Sequence, residues 1–191
     1  HIGGLEMFVT DSGIKIDNPR LTAKYATKLA KAQRALSRKK LGSANRAKAK
    51  LKVARIHAKI SDCRLDNLHK LSRKLINENQ VVCVETLRVK NMIKNPKLAK
   101  HIADASWGRL IQQLEYTADW AGRTVVKINQ FFPSSKRCSN CGYTLPFLAL
   151  DTRHWNCPEC KTTHDRDINA AKNILTAGLA GLAFGENVSL V

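Results

Sequence analysis

Two Cys-x-x-Cys pairs constrain the fold of this chain more than any other feature of its sequence. Cys138 and Cys141 form one pair, Cys157 and Cys160 form the other, and fifteen residues separate the two. Each pair directs two thiolates from one tight turn, and two such pairs complete the tetrahedral four-sulfur site that Zn²⁺ prefers. Because four thiolates leave no open coordination position, the spacing predicts a structural zinc ion rather than a catalytic one.

Two disulfides, or a redox-active Cys-x-x-Cys pair, are the alternatives for these four cysteines. No secretory signal is recognisable, and in a reducing compartment paired cysteines bind metal rather than oxidise. A redox function would need only one pair. Cys63 and Cys83 lie in apolar periodic segments, so we expect them to be small buried side chains. Tyr143 and Trp155 are expected to pack the small zinc-binding unit.

The charge of the chain indicates a polyanionic partner. The sequence of 191 residues carries 33 Lys and Arg against 15 Asp and Glu, a formal net charge of +18. Hydrophobic residues make up 43% of it, enough for a folded core. Nucleic acid is the first candidate for the partner and an anionic membrane the second. No apolar run of about 18 residues occurs, so we expect no membrane-spanning segment.

The basic surplus is concentrated in a predicted helical hairpin over residues 21–79, with a turn at 41–43. Between Lys24 and Lys74 the chain has 17 Lys or Arg and two acids, an excess of about +15. A solvated basic face is the ordinary explanation of a charge run, but this excess is too large to be stable without a polyanion. The residues predicted to contact phosphates are Arg34, Arg38, Lys39, Lys40, Arg46, Lys48, Lys50, Lys52 and Arg55.

The remaining segments alternate between strand and helix patterns. We predict a β-hairpin over 5–16, a strand over 80–87 that is buried on both faces, and a strand over 124–130. Asp104 is the predicted N-cap of a helix that ends at Gly122. A last helix covers 165–182, and the residues from 185 are expected to form a tail. The pattern is that of an α/β or α+β domain with two insertions.

Three carboxylates stand next to these predicted elements. Glu85 closes the apolar strand, and Asp165 and Asp167 precede the last helix. Taken singly, Glu85 is explained as the first solvated residue after a strand and Asp167 as a helix N-cap. Together they can converge at one edge of a sheet, where grouped carboxylates require a hard cation. Two such cations about 4 Å apart are the arrangement that hydrolyses phosphodiesters.

The chain contains the motifs "VVCVETL", "DASWGRLIQQLEYTADWAG", "FFPSSKRCSNCGY" and "WNCPECKTTHDRDINAAKNI". Together they resemble the C-terminal part of the TnpB (OrfB) transposon proteins, relatives of the type V CRISPR effectors. The resemblance implies an RNA-guided DNA endonuclease that uses Mg²⁺ and acts on DNA with a guide RNA, in the cytoplasm and nucleoid of a bacterial or archaeal cell. It also implies that Glu85 and Asp167 are catalytic carboxylates, with Asp165 as a less favoured candidate for the third acid.

The same resemblance implies a domain organisation. An RNase H-like (RuvC) domain would be assembled from residues 1–20, 80–135 and 164–184. The basic helical hairpin, residues 21–79, and the zinc ribbon, residues 136–163, would be insertions in it, and residues 185–191 would be a tail.

One departure from the family pattern concerns the first catalytic Asp. Alignment on Gly4 and Leu5 puts Ile2 at that position. A fragment that begins after the Asp, a decayed gene and an inactive homologue would each explain this, and the survival of Glu85 and Asp167 favours the fragment. A separate N-terminal region or partner subunit would then complete the protein. The alternative function is a non-catalytic RNA- or DNA-binding subunit or a guided transcriptional repressor.

Overall fold

The computed structural model describes residues 6–89, 94, 96–184 and 189–190 of the chain. It begins with the expected β-hairpin, in which β1 (Glu6–Val9) pairs antiparallel with β2 (Lys15–Asp17). The turn between them contains Gly13 at φ 85°, a left-handed conformation that glycine adopts without steric cost. Ile2, which the resemblance aligns with a catalytic Asp, lies outside the described residues.

The predicted helical hairpin is confirmed. Helix α1 (Leu21–Ser37) packs against helix α2 (Ala44–Glu78), and a short turn joins them. Gly42 takes φ 76° in that turn, and the Ser43 hydroxyl accepts a hydrogen bond from the Arg46 N–H at 3.2 Å as the N-cap of α2. The sequence signal was therefore a helix stop followed directly by a helix start.

The next part of the fold contains a parallel pair of strands. Strand β3 (Val81–Glu85) pairs in register with β4 (Thr124–Ile128), so that Glu85 lies opposite Ile128. The connection between them contains helices α3 (Pro96–Ala105) and α4 (Trp107–Ala121). Helix α4 ends at Gly122 as predicted, with φ 61° at its C-cap.

The prediction that Asp104 is the N-cap of this helix is wrong. Asp104 lies inside α3, and Ser106 occupies the N-cap position of α4. The Asp104 carboxylate instead accepts hydrogen bonds from the N–H and hydroxyl of Thr22, at 3.2 and 2.8 Å. Asp104 therefore caps the start of α1, a helix that precedes it in the sequence and lies next to it in the fold.

The cysteine segment forms a small unit with its own hairpin. Strand β5 (His154–Asn156) pairs antiparallel with β6 (Thr163–Asp165), so the hairpin extends two residues past the boundary expected at 163. Trp155 is buried and contacts Cys138 and Cys157, with Tyr143 packed at the side. This packing confirms the expected structural role of the two aromatic residues.

Helix α5 (Arg166–Phe184) follows the hairpin and packs on β3 and β4. Residues 189–190 then form β7, which pairs antiparallel with β4. The prediction of an irregular tail from residue 185 is therefore wrong at residues 189 and 190, which form a strand. Since β4 has a partner on each side, β4 is the central strand of the described sheet, and it is more buried than β3. The prediction that β3 is buried on both faces is wrong, because β3 is half-buried throughout and, among the described residues, lies at the edge of this sheet.

The main core lies between α2, α3, α4 and the first strand. Leu68 and Ile76 of α2 meet Leu114 of α4, and the Trp107 indole donates a buried hydrogen bond to the Met7 carbonyl at 2.9 Å. This bond joins α4 to β1. No helix within the described part of the chain is long and apolar enough to cross a membrane.

Candidate metal centre and carboxylate edge

The four predicted cysteines converge on one point. Their sulfur atoms all lie within 4.8 Å of one another, with Cys138 and Cys160 at 3.6 Å and Cys141 and Cys157 also at 3.6 Å. A tetrahedral site with Zn–S bonds of about 2.3 Å separates its sulfurs by about 3.8 Å. None of these cysteines forms a disulfide. The donor set and its spacing fit Zn²⁺, and within the described residues this is the one such cluster of three or more metal-binding side chains.

The two cysteine turns share one backbone pattern. The Cys138 N–H donates to the Tyr143 carbonyl at 2.7 Å, and the Cys157 N–H donates to the Thr162 carbonyl at 2.9 Å. In each turn the residue after the second cysteine is left-handed, namely Gly142 at φ 82° and Lys161 at φ 60°. The first turn uses the residue type that this conformation favours, whereas the second accommodates a side chain at a steric cost.

Polar neighbours adjust the ionisation of the thiols. Hydrogen bonds from Thr162 and Asn140 lower the pKa of Cys160 to about 5, which favours a thiolate at this position. The hydrogen bond from the Tyr143 backbone favours a thiolate at Cys141, but desolvation and hydrogen bonds with the other three cysteines outweigh it and raise the pKa of Cys141 to about 12. The His164 Nε2 atom lies 3.1 Å from the Cys138 sulfur, and burial lowers the pKa of this histidine. A neutral imidazole with its proton on Nε2 can donate a hydrogen bond to a sulfur ligand.

The cysteine unit is fastened to α5 by two asparagines. Asn169 accepts a hydrogen bond from the Ser139 N–H at 2.9 Å and donates to the Arg137 carbonyl at 2.7 Å. Asn173, one turn later, donates to the carbonyls of Ser134 and Arg137 at 2.8 and 2.6 Å. Both side chains are buried. The backbone that leads into Cys138 is therefore held on the helix that also carries Asp167.

Asp165 has a structural position at the start of this helix. Its carboxylate accepts hydrogen bonds from the N–H groups of Asp167 and Ile168 at 2.9 and 3.1 Å, which makes it the N-cap of α5. It also forms an ion pair with Lys15 at 2.9 Å. Burial opposes ionisation of Asp165, but the hydrogen bonds from Ile168 and Lys15 outweigh it and lower the pKa. The capping role that the sequence allowed for Asp167 thus belongs to Asp165.

Asp167 lies in the first turn of α5 and is buried, with 6% of the residue exposed. The Arg153 guanidinium, which reaches it from the loop before β5, lies 3.6 Å from one carboxylate oxygen. A buried carboxylate needs a nearby positive charge to remain ionised. Arg153 belongs to the cysteine unit, so this unit contributes both position and charge at Asp167.

Glu85 stands at the carboxyl end of β3 and lines an open cavity of about 310 Å³. The loop after β4 forms the opposite wall, and it includes Ser134. The Ser134 carbonyl accepts the hydrogen bond from Asn173 of α5. The loop thus connects the end of β3 that carries Glu85 to the helix that carries Asp167. Within the described residues, neither Glu85 nor Asp167 belongs to a cluster of three or more possible metal ligands.

The predicted phosphate contacts lie along the helical hairpin. Arg46 is half-buried, and its guanidinium donates to the carbonyls of Leu36 and Lys39 at 3.2 and 3.1 Å, so it closes the turn after α1. The other eight are exposed: Arg34, Arg38, Lys39, Lys40, Lys48, Lys50, Lys52 and Arg55.

Sequence reasoning missed several residues of this region. His164, Asn169 and Asn173 were not singled out as members of the site. The spacing of Asn169 and Asn173, four residues apart on a predicted helix, was the available signal, because buried amides on one helical face need partners from another element. His164 had no such signal, since only the pairing of β6 with β5 brings it to Cys138.

Comparisons with known proteins agree with this picture. Residues 3–96 match the OrfB_IS605 family model, described as "Probable transposase", and residues 107–174 match the model of the Cas12f1-like TNB domain. A Streptomyces pristinaespiralis protein named "Putative RNA-guided DNA endonuclease" is 52% identical over 97% of this chain and 46% of its own length. The chain belongs to the TnpB/OrfB family.

Other relatives extend the same family. The Escherichia coli protein "Putative RNA-guided DNA endonuclease InsQ" is 35% identical over 86% of this chain and 44% of its own length. The chain therefore spans about half the length of these relatives. The fold is similar to a solved structure entitled "Cryo-EM structure of the Cas12f1-sgRNA-target DNA complex", with a TM-score of 0.57, 19% identity, and coverage of 84% of this chain and 43% of that chain.

Proposed function

We propose that this chain is the nuclease portion of a TnpB-like RNA-guided DNA endonuclease, built on an RNase H-like (RuvC) domain. The observation that carries the proposal is the position of two carboxylates on elements that pack together. Glu85 ends β3, Asp167 begins α5, and α5 packs on β3 and β4. Because Asp165 takes the helix cap, Asp167 is not required for capping.

Glu85 and Asp167 would hold Mg²⁺, because carboxylate oxygens are the ligands that this hard cation prefers. When bound, the metal would activate water and stabilise the leaving oxygen of a phosphodiester. The residues of the chain supply the position of the two carboxylates. Arg153 balances the charge of Asp167, and the zinc-binding unit holds α5 through Asn169 and Asn173.

DNA and guide RNA are the proposed partners. The relatives are named RNA-guided DNA endonucleases, and the solved structure of similar fold is a complex with a guide RNA and target DNA. In this chain, the eight exposed side chains predicted to contact phosphates lie on the helical hairpin, where they can neutralise phosphates without reading bases. A large N-terminal region, in the same polypeptide or as a partner, would supply the remaining contacts.

The identity of residue 2 leads to a specific expectation about activity. Since Ile2 stands where the family has an Asp, the chain is expected to cleave DNA poorly. The test compares Mg²⁺-dependent cleavage of single-stranded DNA by the chain, by the Ile2→Asp variant and by that variant with Glu85→Gln. We expect cleavage only from Ile2→Asp with Glu85 present. Efficient cleavage by the unmodified chain would contradict the proposal that an acid is missing.

A second candidate function is binding without cleavage, as a nucleic-acid-binding subunit or guided repressor. The observation that favours it is Ile2 in place of an acid, together with the intact basic hairpin and zinc-binding unit. Continued silence of Ile2→Asp, with the first half of the Streptomyces relative supplied and with DNA binding retained, would select this function over nuclease activity.

A further inference from the structure

We propose that Phe131 is a stacking platform for a nucleobase, placed beside Glu85 so that the strand to be cut is held against the carboxylate edge. Phe131 and Glu85 line the same open cavity of about 310 Å³. The role of Phe131 in holding the strand to be cut rests on the proposed nuclease function. Stacking of a base on the Phe131 ring does not depend on that function.

The first argument is the exposure of the ring on an ordered loop. Phe131 is 79% exposed, whereas Phe132 beside it is half-buried. The loop is held by hydrogen bonds from the Phe131 N–H to the Asn129 side chain at 2.8 Å and from the Phe132 N–H to the Asn129 carbonyl at 3.1 Å. An aromatic ring held in water by local hydrogen bonds loses apolar burial that the core would give it. A partner that covers the ring would recover that free energy.

The second argument is the chemistry around the ring. The Arg88 guanidinium lies 5.9 Å from the centre of the Phe131 ring, within the range of a cation–π contact, and donates a hydrogen bond to the Gln130 side chain. An aromatic face beside a guanidinium is the combination that binds single-stranded nucleic acid, since the ring stacks on a base and the cation attracts its phosphate. Arg88 and Gln130 also line the cavity, so the guanidinium and the ring border the same cavity.

The third argument is that a hydrogen bond fixes the position of the loop carrying Phe131 relative to β3. The Thr86 hydroxyl donates to the Ile128 carbonyl at 2.7 Å and joins the end of β3 to the end of β4. Glu85 precedes this bridge and Phe131 follows it. A base on Phe131 would therefore be held at a defined place relative to Glu85. The cavity volume lies near the lower end of ligand pockets, roughly 300 to 1,000 Å³, which suits one nucleotide rather than a duplex.

The test uses the full chain, without added magnesium, and a single-stranded DNA oligonucleotide that contains 2-aminopurine. Emission of this base falls when it stacks on an aromatic ring. We expect quenching on binding to the unmodified chain. The Phe131→Leu variant should lose the quenching and bind about 5- to 150-fold more weakly, because one base–aromatic stack contributes about 1 to 3 kcal/mol. The Phe131→Trp variant should retain both.

Phe184→Leu is the matched control, because Phe184 is 80% exposed at the opposite end of α5 and lines none of this cavity. It should bind and quench like the unmodified chain. Equal behaviour of Phe131→Leu and Phe184→Leu, or no binding by the unmodified chain, would overturn the platform. The proposed nuclease can fail independently. Quenching that depends on Phe131, without cleavage by Ile2→Asp when the first half of the Streptomyces relative is supplied, would support the platform and contradict the nuclease.

Discussion

The Arg64 guanidinium donates a hydrogen bond to the Asp104 carboxylate at 2.7 Å and another to the Asp104 carbonyl at 3.1 Å. Arg64 lies in the middle of α2, and Asp104 lies near the end of α3. The same carboxylate caps α1 through Thr22. One acidic side chain thus joins the basic hairpin to the α3–α4 connection, in a part of the chain where acids are scarce.

Loss of this junction should destabilise the protein. The Asp104→Asn variant removes the charge that pairs with Arg64 and weakens the cap of α1, so the free energy of unfolding should fall by about 2 to 4 kcal/mol. Urea denaturation followed by circular dichroism measures it. Asp66→Asn is the matched control, because the Asp66–Lys70 pair is exposed on α2. That variant should stay within about 0.5 kcal/mol of the unmodified chain, and equal losses at both positions would contradict the junction.

The contact between α5 and β3 leaves no room for a side chain at Gly178. A Cβ atom built there lies 2.4 Å from the Cys83 sulfur and 2.9 Å from the Cys83 Cβ. The Gly178→Ala variant should therefore lower the free energy of unfolding by about 1 to 3 kcal/mol, as overpacked cores do. Gly108→Ala in α4 meets open space, so it should be neutral or stabilise by up to about 1 kcal/mol. In thermal unfolding, the melting temperature of Gly178→Ala should fall below that of the unmodified chain, and that of Gly108→Ala should not.

Removal of the zinc ligands should disturb the start of α5 as well as the cysteine unit. The Cys157→Ser variant is expected to lose bound zinc, measured by mass spectrometry of the native protein. Because Asn169 and Asn173 hold the backbone at 134–139, amide exchange should rise in the first two turns of α5. Cys63→Ser, outside the cluster, should change neither quantity. Unchanged protection of α5 after zinc loss would show that the helix does not depend on the metal.

The second cysteine turn carries strain that glycine would remove. Lys161 has φ 60°, whereas Gly142 occupies the same place in the first turn. The Lys161→Gly variant should stabilise the zinc-bound form by about 1 kcal/mol, because a left-handed conformation costs about that much for a residue with a Cβ. Lys161→Ala retains the strain and is the control. A chelator competition assay measures zinc affinity, which should rise for Lys161→Gly only.

Binding of nucleic acid by the hairpin should depend steeply on salt. Each phosphate contact contributes about 0.7 to 0.9 to the slope of log K against log salt. The Lys48→Gln variant should therefore reduce the slope by about that amount, measured by fluorescence anisotropy between 50 and 200 mM salt. Lys70→Gln removes the same charge from α2, but Lys70 is paired with Asp66. Its slope should not change, and affinity that is insensitive to salt would contradict phosphate binding by the hairpin.

Local patterns were enough to predict much of this fold. The zinc-binding unit depends on Cys138, Cys141, Cys157 and Cys160, whose spacing specifies two turns and four donors regardless of the rest of the chain. The hairpin was equally local, because Gly42 and Ser43 carry a helix stop and a helix start. In both cases the signal and the structure lie within a few residues of each other.

Long-range contacts decided what local patterns could not. Asp104 is a residue type that favours an N-cap of the following helix, yet it caps α1, more than eighty residues earlier. The burial of β3 was also overestimated, because an apolar run records hydrophobicity and not the number of neighbouring strands. Asp167 was the expected cap of α5, and only the hydrogen bonds of the folded chain assign that cap to Asp165.

The sequence by itself determined the four-sulfur centre and the basic hairpin, since the first follows from spacing and the second from charge and helical periodicity. Tertiary structure alone decided that Asn169 and Asn173 fasten the zinc-binding unit to α5, that Arg153 reaches Asp167, and that Phe131 stands exposed in the cavity of Glu85. The physical reason is the distance along the sequence between the residues that make contact. A turn or a metal knuckle is closed by residues adjacent in sequence, whereas a site at the edge of a sheet forms only when separate elements pack.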